Sequence, residues 1–229
     1  MTVETFTPTD DCLINGNLGV RNYGASTTTV VEIGGSKLKL LLKFGLSGIA
    51  AGNVCSAAAL TLIKTSAAGA NYPVTYTLFE IASGNAGWIE GTKNNITAGA
   101  GECCWNALAA DGASGVTTAW AGSAGLATAG TDYVNTALGT IDTNKMDAQY
   151  TAYTFTLNAS GLAVIENWFG SDDENYGLLI TAPAAGIVAG MSENTTEAYR
   201  PVLSVTYSAG GALLKVNFNA QMQNMAGGF

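Results

Sequence analysis

The chain has 229 residues, enough for one large domain with a real core, and a formal charge of −8 with no cluster of Lys or Arg; it therefore lacks the basic footprint that a nucleic-acid backbone requires. Charged residues make up only 11%, against roughly 25% in ordinary soluble domains, so many surface positions must be small and neutral, a surface suited to packing against copies of itself. No basic n-region and apolar h-region open the chain, and no apolar run approaches the roughly 20 residues that span a bilayer, so neither an export signal nor a membrane partner is expected.

In chain order, Met1 to Asp10 reads as a polar, Thr-rich lead-in and Asp11-Cys12-Leu13-Ile14 as a first short strand. Asn15 to Ala25 is turn-rich, and Val30 to Ile33 reads as a strand ended by Gly34-Gly35. The centre of the pattern is Leu38 to Lys64. Its first run, Leu38 to Phe44, is too short for a typical helix, is bounded by glycines, and predicts a strand buried on both faces. Its second run alternates Leu60 and Leu62 with Thr61 and Ile63, the period of a strand with one face on the core. Val74 to Ile81 predicts a half-buried strand with Val74, Tyr76 and Leu78 facing one way.

From Ser83 to Asp147 the pattern loosens into Gly- and Ala-rich sequence with scattered Trp88, Trp105, Trp120 and Tyr133. Such a stretch is too long for an ordinary loop, and reads as an elaborated connection, either functional or packed over the rest. Tyr153 to Leu157 alternates as a strand. Gly161 to Phe169 then spaces Leu162, Ile165 and Trp168 as a short helix, with Asn158 or Ser160 as N-cap and Gly170 as the stop. After the acidic turn Ser171 to Glu174, Tyr176 to Thr181 and Val202 to Tyr207 read as strands, and the domain is expected to close near residue 208. The remaining residues, 209–229, carry Leu213, Leu214, Val216, Phe218, Met222, Met225 and Phe229; left in water they would expose a large apolar surface, so this tail reads as an assembly anchor.

There is no histidine, which excludes Ser-His-Asp and Cys-His catalysis and the usual zinc sets. The four cysteines show no Cys-x-x-Cys spacing; buried reduced thiols are expected, with a Cys12 to Cys55 disulfide as the alternative. Asp172, Asp173 and Glu174 could in principle form a hydrolytic carboxylate pair, but neighbours in sequence diverge, so a solvated turn is the reading adopted.

Several fragments in one order carry a family resemblance: Asp11 to Ile14 followed by Asn22-Tyr23-Gly24, Leu41 to Ser47, Trp88-Ile89-Glu90-Gly91, Cys104-Trp105-Asn106, Asn167-Trp168, Asn175 to Leu179, and Ser192-Glu193 with Arg200 to Leu203. Together they resemble the DNRLRE domain family, related to the disaggregatase repeat and to carbohydrate-binding modules. This chain departs from the family pattern at Gly45, usually Asp, and at Cys12-Leu13, commonly Thr-Tyr. The resemblance implies a jelly-roll-like antiparallel β-sandwich with one helix, of the kind found on secreted polysaccharide-active proteins, cell-surface proteins and phage particles. Many short strands with Gly-rich turns independently predict an all-β sandwich.

Two carboxylates follow from the matched motifs, Asp11 on the first strand and Glu193 before the last. As neighbours they could hold calcium, a hard cation that takes oxygen ligands; alternatively Glu193 pairs with Arg200. Trp88, Trp105 and Trp120 could offer platforms for sugar rings, or could pack the long connection. The expected function is a non-enzymatic structural protein of a phage particle, a head-decoration or tail/fibre component assembled in the host cytoplasm, whose partners are other virion proteins or copies of itself, with polysaccharide contact an option. The alternative is an extracellular carbohydrate-binding module.

Overall fold

The computed structural model of the protein describes residues 1–29, 37–66, 73–144, 147–184 and 186–210. Alternating β-branched and apolar residues give nine strands in two antiparallel sheets: β1 (Thr2–Phe6), β2 (Asp10–Asn15), β3 (Leu38–Lys43), β4 (Asn53–Ile63), β5 (Pro73–Glu80), β6 (Gly139–Asn144), β7 (Ala152–Thr156), β8 (Leu178–Thr181) and β9 (Val202–Ala209). The four-stranded sheet runs β1-β9-β4-β7 and the five-stranded sheet β6-β5-β8-β3-β2. First strand beside last, with β1, β4, β7 and β9 in one sheet and β3, β5, β6 and β8 in the other, is the strand partition of a jelly roll, here with β2 added at one edge.

The core between the sheets is built from the inward positions that the period-two pattern picked out. Leu40 and Leu42, Val74, Tyr76 and Leu78, Leu60 and Leu62 meet there, joined by Leu203 and Val205 of β9. The helix α1 (Ala159–Asn167) seals one end with Val164 and Ile165, followed by Trp168 beyond its C-terminus; Asn158 Oδ1 caps it by accepting from Gly161 N at 3.0 Å. Each such side chain, taken fully out of water, contributes about 1.5–3 kcal/mol.

A second core lies on the other face of the five-stranded sheet. Cys12, Ile14, Leu41 and Leu179 point outward there and are covered by Trp88, Cys103, Leu108, Trp120 and Leu126 of the long connection. This layer is why Leu40, Leu41 and Leu42 are all fully buried, as the unbroken apolar run predicts. The connection is pinned by polar groups as well as apolar ones. Asp132, wholly buried, accepts from the backbone N–H groups of Gly122, Ser123 and Thr128 at 2.8, 3.0 and 2.8 Å. Asn22, equally buried, donates to the carbonyls of Glu90 and Cys103 and accepts from Gly24 N and Lys93 N.

Several expectations are corrected. The lead-in is a strand, β1, paired along its length with β9. The long connection contains β6, which extends the five-stranded sheet beyond β5. The last strand runs to Ala209, with Gly210 N still bonded to the Gly52 carbonyl at 3.1 Å, so the fold closes slightly later than residue 208. Cys12 and Cys55 sit in different cores and all four cysteines are free thiols, so the Cys12 to Cys55 bridge is not formed. The Val30 to Ile33 strand and the tail residues Leu213, Leu214, Val216, Phe218, Met222, Met225 and Phe229 lie outside the described residues. No described helix is long and apolar enough to cross a membrane.

Candidate metal centre

Strand β2 lies at the edge of its sheet, where unpaired backbone groups need partners. Glu90 supplies one: its Oε1 accepts from the Asp11 N–H at 2.9 Å. The Trp88 to Glu90 segment is held for this task from three sides. Lys43 Nζ donates to the carbonyls of Ala86 and Trp88 at 3.3 and 3.1 Å and sits 4.4 Å over the Trp88 ring; Cys103 N donates to the Ile89 carbonyl at 2.9 Å; and Asn22 holds the Glu90 carbonyl. The approach is close enough that a Cβ on Gly24 would lie 2.5 Å from the Glu90 and Gly91 carbonyl oxygens. The family-like Asn22-Tyr23-Gly24 fragment therefore has a steric reason for its glycine.

The third carboxylate arrives from the far end of the chain. Ser192 N donates to Asp11 Oδ2 at 2.7 Å, which seats the turn before β9 against β2, and Ser192 Oγ donates to Glu193 Oε1 at 2.8 Å. One carboxylate oxygen each from Asp11, Glu90 and Glu193 thus falls within 4.8 Å of the others. Oxygens that share a calcium ion, each at about 2.4 Å, lie no farther apart than that. Among the described residues no other three such side chains converge.

Two atoms of this cluster are orphaned. Asp11 Oδ1 and Glu193 Oε2 are buried without a hydrogen-bond partner, although Asp11 is 0% exposed. Arg200 does not answer them. Its Nε donates to the Asn194 carbonyl at 2.8 Å, and among the described residues it forms no ion pair with Glu193. Burial, and then the charge of Glu193, push the Asp11 carboxyl well above its ordinary range; burial, with Glu193 and Asp10 adding to it, raises Glu90 to about 7. Such a cluster must either hold protons or be neutralised by a cation. Three carboxylates and no sulfur or imidazole are a donor set for a hard divalent ion, calcium before zinc.

No family model matches the chain, and no curated protein matches it. The family resemblance rests on the sequence fragments quoted above, two of which, Asp11 with its strand and Ser192-Glu193, the fold does bring into contact.

The aromatic candidates fare differently. Trp88 and Trp120 are only 1% and 3% exposed, with indole N–H groups donating to Tyr176 O and to Cys104 O and Trp105 O, so neither presents a ring to solvent. Trp105 is half-buried and clasped between Gly16 and Gly125, where a Cβ would come within 2.8 and 2.3 Å of its ring. All three serve the second core. Of the acidic turn, Asp172 Oδ1 accepts from Leu46 N at 3.1 Å, a structural task. An open cleft of about 480 Å³ beside the connection, lined by Lys39, Thr77, Phe79, Tyr133, Thr181 and Pro183, was not foreseen. Its rings, Phe79 and Tyr133, lie 4.8 Å apart centre to centre, and burial lowers Lys39 to about 8.

Glu90 was the missed member of the carboxylate cluster. It stands in a fragment that the sequence singled out, but nothing in its spacing links it to Asp11, 79 residues away.

Proposed function

We propose that this chain is a non-enzymatic structural component of a virus particle, a phage head-decoration or tail/fibre protein, whose jelly roll is stapled by a calcium ion at Asp11, Glu90 and Glu193. The observation that carries the structural reading is the unpartnered, fully buried Asp11 Oδ1 in that cluster. A cation there joins three segments distant in sequence, the first part of the sandwich, the long connection and the turn before β9. It acts as a clamp, since burial of this kind suits retention better than turnover. Assembly into a particle is supported by the scarcity of charge, 11% of residues, which lowers the desolvation cost of packing copies together.

The test is immunological. Antibody raised against the chain should label particles banded from the source culture; label confined to cell-wall or secreted fractions would count against the proposal.

A second reading, a carbohydrate-binding module, is favoured by one observation, the cleft walled by Phe79 and Tyr133 and lined by Thr77 and Thr181. Aromatic rings take the apolar face of a sugar while hydroxyl groups take its oxygens. Glycan-array binding that is lost in Tyr133→Ala and kept in Trp105→Ala would establish it.

A further inference from the structure

The four-stranded sheet has one face in the core; the other is covered by no described element. Strand register fixes what that face presents. Thr5, Ser204, Ala59 and Thr156 form one row across all four strands, and every other outward position of β1, β9, β4 and β7 is Ala, Ser, Thr, Val or Ile. Among the described residues no charged side chain stands on it. Glu4 of β1 turns to the opposite side, where Tyr207 Oη donates to it at 2.6 Å. Val3 and Val54 lie on this face and are 63% and 46% exposed.

We infer that this sheet face is a docking surface for a second copy of the same chain, packed face to face about a two-fold axis. The inference deepens the assembly reading above and rests on it for its setting. Charge selects the occupant. Two molecules that each carry −8 repel wherever acidic surface meets, and a face free of charge is where they can approach without burying unpaired carboxylates. Shape agrees, because short β-branched and small side chains let two twisted sheets interdigitate at about 10 Å, with strands about 30° apart. Area suits a weak, reversible contact. The four strands are 5, 8, 11 and 5 residues long and, at about 4.8 Å apart, span roughly 450 Å² of plane; two copies therefore enclose roughly 900 Å², the size of a transient interface. Because the face itself carries no charge and the background is repulsion of like charge, added salt should tighten the dimer.

Sedimentation velocity on the full chain over a concentration series tests this. The expected result is a monomer–dimer equilibrium that Ala59→Arg shifts at least tenfold towards monomer, while Val116→Arg, on the long connection, leaves it unchanged. If Ala59→Arg fails to fold by circular dichroism, Thr156→Arg at the more exposed edge takes its place. A wild-type chain that is monomeric throughout overturns the inference. So does a dimer indifferent to both substitutions on the face, which would place the contact elsewhere, for instance in residues 211–229. The function proposal fails separately: a monomer that labels particles sinks only the dimer, and a dimer absent from every particle fraction sinks only the virion assignment.

Discussion

Asp11 shows how one buried atom constrains the behaviour of the whole protein. Its Oδ1 has no partner, so the fold carries a cost that the proposed calcium ion would remove. At a calcium concentration about a hundredfold above the dissociation constant, linkage adds about 2.7 kcal/mol, or roughly 5–10 °C in Tm for a chain of this length. Thermal melts with calcium and with EDTA should differ by that much in the wild type and not at all in Asp11→Asn. In EDTA the variant should melt no lower than wild type, because it removes a charge that nothing neutralises; a variant that melts lower in both conditions would make Asp11 a structural hydrogen-bond acceptor and nothing more. The pH dependence has a definite sign. Glu90 is raised from 4.5 to about 7 and Asp11 also lies above its ordinary value, each chiefly by burial. Without metal, both contribute stability that is complete below the unfolded-state values and is lost as pH rises through the folded ones. The EDTA form should thus melt lower at pH 7.5 than at pH 5, and the calcium increment should grow across the same window as ion replaces proton. A flat EDTA profile would mean that these carboxylates do not titrate as a buried cluster.

At the scale of elements, the long connection behaves as a layer with its own stability. Trp88→Ala should cost about 3–5 kcal/mol in urea denaturation, the usual range for emptying a tryptophan site. Asp132→Ala should act more locally. Without the carboxylate, the N–H groups of Gly122, Ser123 and Thr128 lose their acceptor, so hydrogen exchange should accelerate there and stay slow in β4 and β9; uniform acceleration would show that the layer and sandwich open together. The same residues explain what could be read before folding. β3, β4 and β5 were legible because their apolar positions all face a core, and α1 because Asn158 and Gly170 mark its ends. β1 was not, since at the sheet edge only Phe6 is even partly buried. β6 was hidden by chemistry: one of its buried side chains is Thr143, whose hydroxyl donates to the Val74 carbonyl at 3.0 Å and which reads as polar. The outward run of β3 showed that something covers the sheet, without showing that tryptophans from the connection do so. The carboxylate cluster was legible in two of its three members: all three lie in family-like fragments, but only Asp11 and Glu193 read as neighbours, whereas Glu90 is placed by packing across the chain.

For the whole molecule, all nine strands of the two sheets are paired within residues 2–209. A chain ending after Gly210 is therefore expected to keep a Tm within about 2 °C of the full length, less than about 1 kcal/mol for a chain of this size; a larger fall would assign residues 211–229 to the core. The pairing of β1 with β9 has a further consequence, in time. Thr2 lies opposite Tyr207, and Asp11 meets Ser192 across 181 residues, so neither the four-stranded sheet nor the carboxylate cluster can form until synthesis has reached the turn before β9 and β9 itself. At about 5–20 residues per second this leaves β1 without a neighbour for roughly 10–40 s, and β4 without β9 at one edge for roughly 7–30 s. A nascent chain in that condition is open to pairing with other chains, and the emergence of β9 from the ribosome is the moment at which the sandwich and its carboxylate cluster can close.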